Sequence, residues 1–264
     1  MNILEAIILG IIQGVAEFLP ISSSGHLALT QALFGIEEAK LGFDVLLHVA
    51  TLIPVCVVYR KDIWALIRKP FQKMTLWLIV GTIPAVIAAL LLDDRIESFK
   101  TNMYFLAAGF TITGFVLLIA DNIRVGTKGE DEMTLWDALL VGCAQGVAIL
   151  PAISRSGSTI SASLLRGLKR ETAARFSFLL SIPAILGAAV LQVKDLLGGG
   201  DVFGGIPTAS LIAGFLAAML SGYLAIQFML KLIQKAKLKT FSIYLFALAA
   251  FILVNKFWPG GGLL

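Results

Sequence analysis

The sequence predicts an all-α polytopic membrane protein: six transmembrane helices plus two re-entrant helix–loop–helix hairpins, arranged as an inverted-topology repeat. Three observations carry that prediction. Only 14% of the residues are charged, against about 25% in a soluble domain, and the mean hydropathy is +0.91. Apolar runs of membrane-spanning length recur along the chain. The stretch Gly10–Gly25 returns at Gly142–Gly157, with nine of sixteen positions identical at an offset of 132, half of the 264 residues. An internal duplication is the economical reading.

The elements follow in order. Residues 3–19 form an apolar helix that stops at Pro20, and a second piece runs over 26–35. Each is shorter than the ~20 residues that a span requires, so the pair suits a hairpin entering and leaving by one face. Spans are expected at 45–59, 75–92 and 103–120. A polar loop, 122–132, then joins the two repeats, 1–121 and 133–264, of a single membrane domain. A second broken pair, 135–150 and 157–166, precedes spans at 173–193, 207–230 and 240–257. Gly198, Gly199, Gly200, Gly204 and Gly205 mark a flexible loop before the fifth span.

Three spans change the side of the membrane and a re-entrant pair does not, so the second half is inverted relative to the first. The basic residues agree. One side carries Arg60, Lys61, Arg68, Lys69, Lys73, Arg124, Lys128, Arg166, Lys169, Arg170, Arg175, Lys231, Lys235, Lys237 and Lys239. The other carries Lys40, Arg95, Lys100, Lys194 and Lys256. The positive-inside rule places the richer group in the cytoplasm and both termini outside. The same rule accounts for the net charge of +4, so no nucleic-acid partner is implied. Cys56 and Cys143 lie in apolar segments and read as small buried residues without a disulfide. No cleavable signal peptide is evident, because no basic residue precedes Lys40 and Glu5, Gln13 and Glu17 interrupt the first apolar run.

The chemistry concentrates in Gln13–His26, QGVAEFLPISSSGH. Gln13 and Glu17, four apart, share one helical face, and an ionisable residue inside a membrane segment is a functional candidate. The repeats differ where it matters: Glu17 aligns with Ile149, Ser23 with Arg155 and His26 with Ser158. The first hairpin therefore supplies an acid, an imidazole and hydroxyls, and the second a cation. Irregular polar backbone at membrane depth must be buried in protein or line a wet cavity. A guanidinium among Ser154, Ser156, Gly157 and Thr159 at a helix start suits phosphate. Substrate-binding candidates are these four residues with Gln13, Ser22, Ser24 and Gly25. Catalytic candidates are Glu17, Ser23, His26 and Arg155, and metal-ligand candidates are Glu17 and Gln13. The set suggests phosphoryl transfer, which demands positioning and neutralisation of oxyanion charge. Attack by serine and attack by water both remain open. His48 and Asp44 read as packing or interfacial residues.

At these residues the chain resembles the bacterial undecaprenyl pyrophosphate phosphatases of the bacitracin-resistance type. QGVAE fits that family's (E/Q)xxxE motif, FLPISSSGH its serine–histidine loop and SRSGSTIS its PGxSRSGxT motif, and RFSFLLSIPAILGA (Arg175–Ala188) is also similar. The resemblance covers essentially the whole chain. It implies hydrolysis of a polyprenyl diphosphate lipid to its monophosphate, recycling the carrier for cell-wall synthesis, in the bacterial cytoplasmic (inner) membrane with catalysis facing outward. It implies Glu17, His26 and Arg155 as essential, Gln13, Ser23 and Ser154 as supporting, and a divalent cation, Mg2+ or Ca2+. Membrane lipids are the other expected partners, and a homodimer is one option for the oligomeric state. Two departures stand out: Ala152 replaces a motif glycine, and Ala50 in HVATL stands where glycine is usual. A transporter or flippase of a phosphorylated polyprenyl lipid is the alternative that inverted repeats would suit. The acid-phosphatase-like class, echoed by SSSGH, requires a second histidine downstream of SRSGSTIS, and none follows.

Overall fold

In hydrocarbon a peptide group has no water to bond, so the chain must satisfy its backbone internally. The computed structural model does so with helices. It describes residues 1–36, 41–124, 126–197, 203, 205–234 and 238–257. The loop glycines Gly198, Gly199, Gly200 and Gly204, and Lys40, Lys235 and Lys237, lie outside the described residues. In chain order the elements are α1 (Ile3–Phe18), α2 (Ser23–Leu33), α3 (Leu41–Val58), α4 (Arg60–Arg68), α5 (Lys73–Lys100) and α6 (Met103–Asp121). A 3-10 turn at Glu130–Glu132 follows, then α7 (Leu135–Val147), α8 (Arg155–Leu165), α9 (Arg170–Leu197), α10 (Thr208–Ile233) and α11 (Leu238–Phe257).

The two halves begin alike. The Asn2 side chain accepts from the Glu5 amide at 2.9 Å, and the Glu5 carboxylate accepts from the Asn2 amide at 2.8 Å. At the same offset of 132, Thr134 and Asp137 repeat this reciprocal cap at 3.3 and 3.0 Å. Such boxes satisfy amides that a helix start leaves without partners.

Small residues then let helices approach closely, as membrane helix pairs require. A methyl group at Gly10 would collide with the Gly214 carbonyl, and one at Gly14 with Ser221 and Ala218, so α1 lies directly on α10. In the second half Gly142 and Gly146 lay α7 on α5 in the same manner, against Gly81 and Pro84. α6 pairs with α11, and α3 packs on α9 and α10.

Among the described residues, five continuous helical stretches are long and apolar enough to cross a membrane: Lys73–Leu92, Met103–Asp121, Arg170–Val190, Thr208–Ile233 and Leu238–Phe257. Gly42–Val58 with Arg60–Arg68 passes as a sixth only as a pair bent by 82°. Exposed apolar stripes, such as Ile79, Ile83, Val86 and Leu90 on α5, suit lipid contact. The protein is thus an all-helical, multi-pass membrane protein.

Several boundaries differ from the sequence expectation for local reasons. α5 runs past the apolar stretch through charged residues to Lys100, where a cation favours a helix C-terminus. α2 and α8 start at Ser23 and Arg155, because Ser22 and Ser154 act as their N-caps. The basic segment after the first span, to which the sequence reading assigns no element, forms α4. Cys56 and Cys143 are free, as expected, but exposed rather than buried.

Candidate active site

The site forms where the two helix breaks meet. Beyond Phe18 the chain turns through Leu19–Ile21, and Ser22 Oγ accepts from the Gly25 amide at 3.4 Å to start α2. In the second half Ser154 Oγ accepts from the Gly157 amide at 3.0 Å to start α8. The loops abut reciprocally. A Cβ at Gly25 would lie 2.8 Å from Ala152 Cα, and one at Gly157 would lie 3.3 Å from Pro20 Cβ. Gly25 and Gly157 correspond in the repeat, as do Pro20 and Ala152, so one contact is made twice. Ser156 Oγ also crosses, donating to the Leu19 carbonyl at 3.0 Å.

Glu17 is the centre of the polar cluster. Its Oε2 accepts from Gln13 Nε2 at 3.0 Å and from the Ser23 hydroxyl at 2.7 Å. Its Oε1 accepts from Arg155 Nη2, across the junction between halves. His48 Nδ1 faces the Asp44 carbonyl at 2.7 Å, and a carbonyl only accepts, so Nδ1 donates. That turns His48 Nε2 toward Glu17 Oε2 at 3.5 Å. The carboxylate is buried, and a buried charge persists only when paired and hydrogen-bonded. Arg155 supplies the pairing, and Ser23 and Gln13 the bonds.

Two buried atoms here have no hydrogen-bond partner among the described residues: Arg155 Nη1 and Gln13 Oε1. The first is a cationic donor suited to a phosphate oxygen. The second, with the Glu17 carboxylate, offers oxygen ligands of the kind that Mg2+ or Ca2+ takes. Among the described residues no group of three or more His, Cys, Asp or Glu could hold a metal. A hard cation at Glu17 and Gln13 would therefore complete its shell from phosphate oxygens and water, as Mg2+ commonly does.

His26 lies apart from this cluster. Its Nδ1 donates to the Ser22 carbonyl at 2.7 Å, and its Nε2 is 2.7 Å from the Tyr244 hydroxyl on α11. With the neutral ring protonated on Nδ1, Nε2 accepts from Tyr244. The ring also meets Phe110 edge-on, with centroids 5.2 Å apart. On the other loop, Thr113 of α6 receives the Ser154 amide and donates to the Ala152 carbonyl, both at 3.1 Å. Ala152 itself is held at φ +63, a left-handed conformation that an alanine adopts at a cost of about 1–2 kcal/mol. The residue that replaces the motif's glycine thus sits in a conformation that glycine adopts without that cost.

Of the residues expected from sequence, Gln13, Glu17, Ser23 and Arg155 converge. Ser22, Ser24, Gly25, Ser154, Ser156 and Gly157 build the two loops, with Ser22–Ser24 and Ser154–Ser156 hydroxyls each 3.3 Å apart. Thr159 is buried, bonding the Arg155 carbonyl at 2.8 Å and the Ser177 hydroxyl at 2.6 Å. It braces α8 against α9. His48, read from sequence as a packing or interfacial residue, faces Glu17. Tyr244 and Thr113 were not singled out at all. Each is one of several polar residues scattered along a mostly apolar helix, with no motif to mark it.

Residues 6–251 match the family model described as "Bacitracin resistance protein BacA". Over 254 residues the chain is 49% identical to an undecaprenyl-diphosphatase of Carboxydothermus hydrogenoformans, covering 96% of this chain and 97% of that protein. It is 48% identical over 257 residues to undecaprenyl-diphosphatase 3 of Bacillus cereus, covering 97% and 98%. With undecaprenyl-diphosphatase 1 of Shouchella clausii it shares 42% over 269 residues, 96% of each. A family match across nearly the whole chain and relatives of this similarity lead to one conclusion: the chain belongs to the bacitracin resistance protein BacA family.

Proposed function

We propose that the chain is an integral membrane phosphatase that hydrolyses undecaprenyl diphosphate to undecaprenyl phosphate and inorganic phosphate. It thereby recycles the lipid carrier for peptidoglycan and other envelope polymers and confers bacitracin resistance. The observation that carries this reading is the meeting of Arg155 from one half with Glu17 and Ser23 from the other. Its membership of the family and the names of its relatives agree with it.

In this reading Arg155 exchanges Glu17 for the terminal phosphate, with Nη1 already free to donate. The amides and hydroxyls at the start of α8 take further phosphate oxygens. The Ser23 hydroxyl is bonded to a carboxylate, as an activated nucleophile is, which favours serine over direct attack by water. Ser23 Oγ attacks the terminal phosphorus, its proton passes to Glu17, and the bond to the bridging oxygen breaks. Water then releases phosphate from the serine. Gln13 and Glu17 are the residues that would hold a divalent cation, which when bound neutralises phosphate charge as a Lewis acid. His26 steadies the serine loop through the Ser22 carbonyl and keeps Nε2 as its proton-exchanging nitrogen.

The same reading takes α1–α2 and α7–α8 as re-entrant hairpins and α3, α5, α6, α9, α10 and α11 as six spans. It places both termini outside the bacterial inner membrane, with catalysis facing outward. The paired caps, the α1–α10 and α7–α5 packings and the reciprocal loop contacts support an inverted repeat, since each occurs once per half. Phosphate release from a polyprenyl diphosphate by the purified protein, with and without EDTA, tests the proposal. Release that needs both metal and Arg155 upholds it. Tight lipid binding by folded protein without release would point to a transporter of the phosphorylated lipid.

A further inference from the structure

α4 does not belong to the site and is not a span. Its nine residues, Arg60–Arg68, measure about 14 Å at 1.5 Å per residue, under half of a ~30 Å hydrocarbon core. The 82° bend after Val58 lays it across the direction of α3. None of its residues is buried.

Its two faces differ. Ile63 and Leu66 rest against the main apolar core, and Asp62, the helix's one acid, is taken up by Arg175 of α9. Arg175 also binds Glu130 in the polar turn between the halves. The inward face is therefore anchored, and the acid is neutralised. At 100° per residue Lys61, Trp64 and Arg68 fall on the opposite side, with Arg60 and Ile67 at its edge next to Ile63, and all five are exposed. Trp64 is 55% and Ile67 64% exposed. The Arg68 guanidinium sits 4.9 Å from the Trp64 ring centre. Lys69, Phe71 and Lys73 extend the same composition beyond the helix, all exposed.

A short helix lying flat, with tryptophan and aliphatic groups among bases, has the pattern of a membrane-surface helix. Tryptophan favours the headgroup level. We propose that α4 is an interfacial helix that gathers anionic phospholipid headgroups, with Trp64 and Ile67 entering the acyl boundary and Lys61, Arg68 and Lys69 binding lipid phosphate. The occupant is an anionic leaflet, argued from charge complementarity: the outward face carries bases and no acid. Lys61, Arg68 and Lys69 make no contact with the catalytic cluster, so this proposal stands or falls apart from the hydrolytic reading.

The test uses full-length protein in nanodiscs of phosphatidylcholine and phosphatidylglycerol, with one lipid brominated at a time at equal mole fraction. The Trp64 signal is the fluorescence of wild type minus that of Trp64→Phe, so the other tryptophans cancel. Brominated phosphatidylglycerol is expected to quench that signal about twofold more than brominated phosphatidylcholine, since each nearby base enriches anionic lipid. The triple variant Lys61→Gln/Arg68→Gln/Lys69→Gln, checked as folded by its elution profile, should quench equally with both lipids. Equal quenching in wild type would overturn the anionic preference. A preference unchanged in the triple variant would overturn the role of these bases. A Trp64 signal quenched by neither lipid would overturn the interfacial placement and, in dimeric protein, would mark α4 as a contact between copies.

Discussion

Arg155, the first residue of α8, donates to Glu17, the next-to-last residue of α1, across 138 positions of sequence. Both side chains are largely withdrawn from solvent, at 15% and 5% exposure. The pair therefore holds the two halves together at the proposed phosphate site.

Removing one partner of such a pair leaves an uncompensated buried charge, at a cost of about 3–5 kcal/mol. Arg155→Ala should lower the thermal unfolding temperature in detergent and reduce phosphate release by about 10²–10³-fold. Adding Glu17→Gln should recover much of the stability and none of the activity. Recovery of activity in the double variant would contradict the phosphate-binding role.

Ser23→Ala removes the proposed nucleophile and one bond to Glu17. Phosphate release should fall at least about 10²-fold, while detergent stability drops only by about 1 kcal/mol, one hydrogen bond. Retained turnover would transfer the attack to water.

Tyr244→Phe deletes a hydroxyl and keeps the ring against His26. Loss of one hydrogen bond should lower kcat by about fivefold. The chain has only two histidines, so ¹⁵N spectra with His48→Gln as reference assign His26 directly. Its Nε2 resonance should move, while the Nδ1–H tautomer persists through the Ser22 carbonyl. An unmoved resonance would mean that Tyr244 does not bond His26 in solution.

The glycines of the two helix pairs should differ in tolerance. A Cβ at Gly14 meets Ser221 and the Ala218 carbonyl in hard collision, whereas at Gly146 the nearest atom, the Pro84 carbonyl, is 3.0 Å away. Gly14→Ala should cost about 1–3 kcal/mol, the usual range for overpacking, and Gly146→Ala distinctly less. Thermal unfolding of the two purified variants decides.

Much of this architecture was legible in the chain. Apolar run length marked the helices from Ile3 to Phe257, because hydrocarbon forces backbone groups to pair within a helix. The Gly10–Gly25 and Gly142–Gly157 repeat marked both breaks, and the substitutions Glu17/Ile149 and Ser23/Arg155 between repeats marked the catalytic candidates. α4 lies outside that reading because its nine residues fall short of the ~11–18 over which helical periodicity is read.

Local signals in the chain set where helices start, cap and break, and which residues bring charge into an apolar protein. Those follow from neighbours within a turn or two. Which residues meet is a property of the packed helices. Their packing set Arg155 and His48 on Glu17, gave Ser23 a carboxylate rather than His26 as its partner, and brought Tyr244 to His26 over 218 positions. Gly25 and Gly157, where the two helix breaks abut, let the loops that carry several of these residues close on one another. A single polar side chain in an apolar helix does not announce which distant helix it will face.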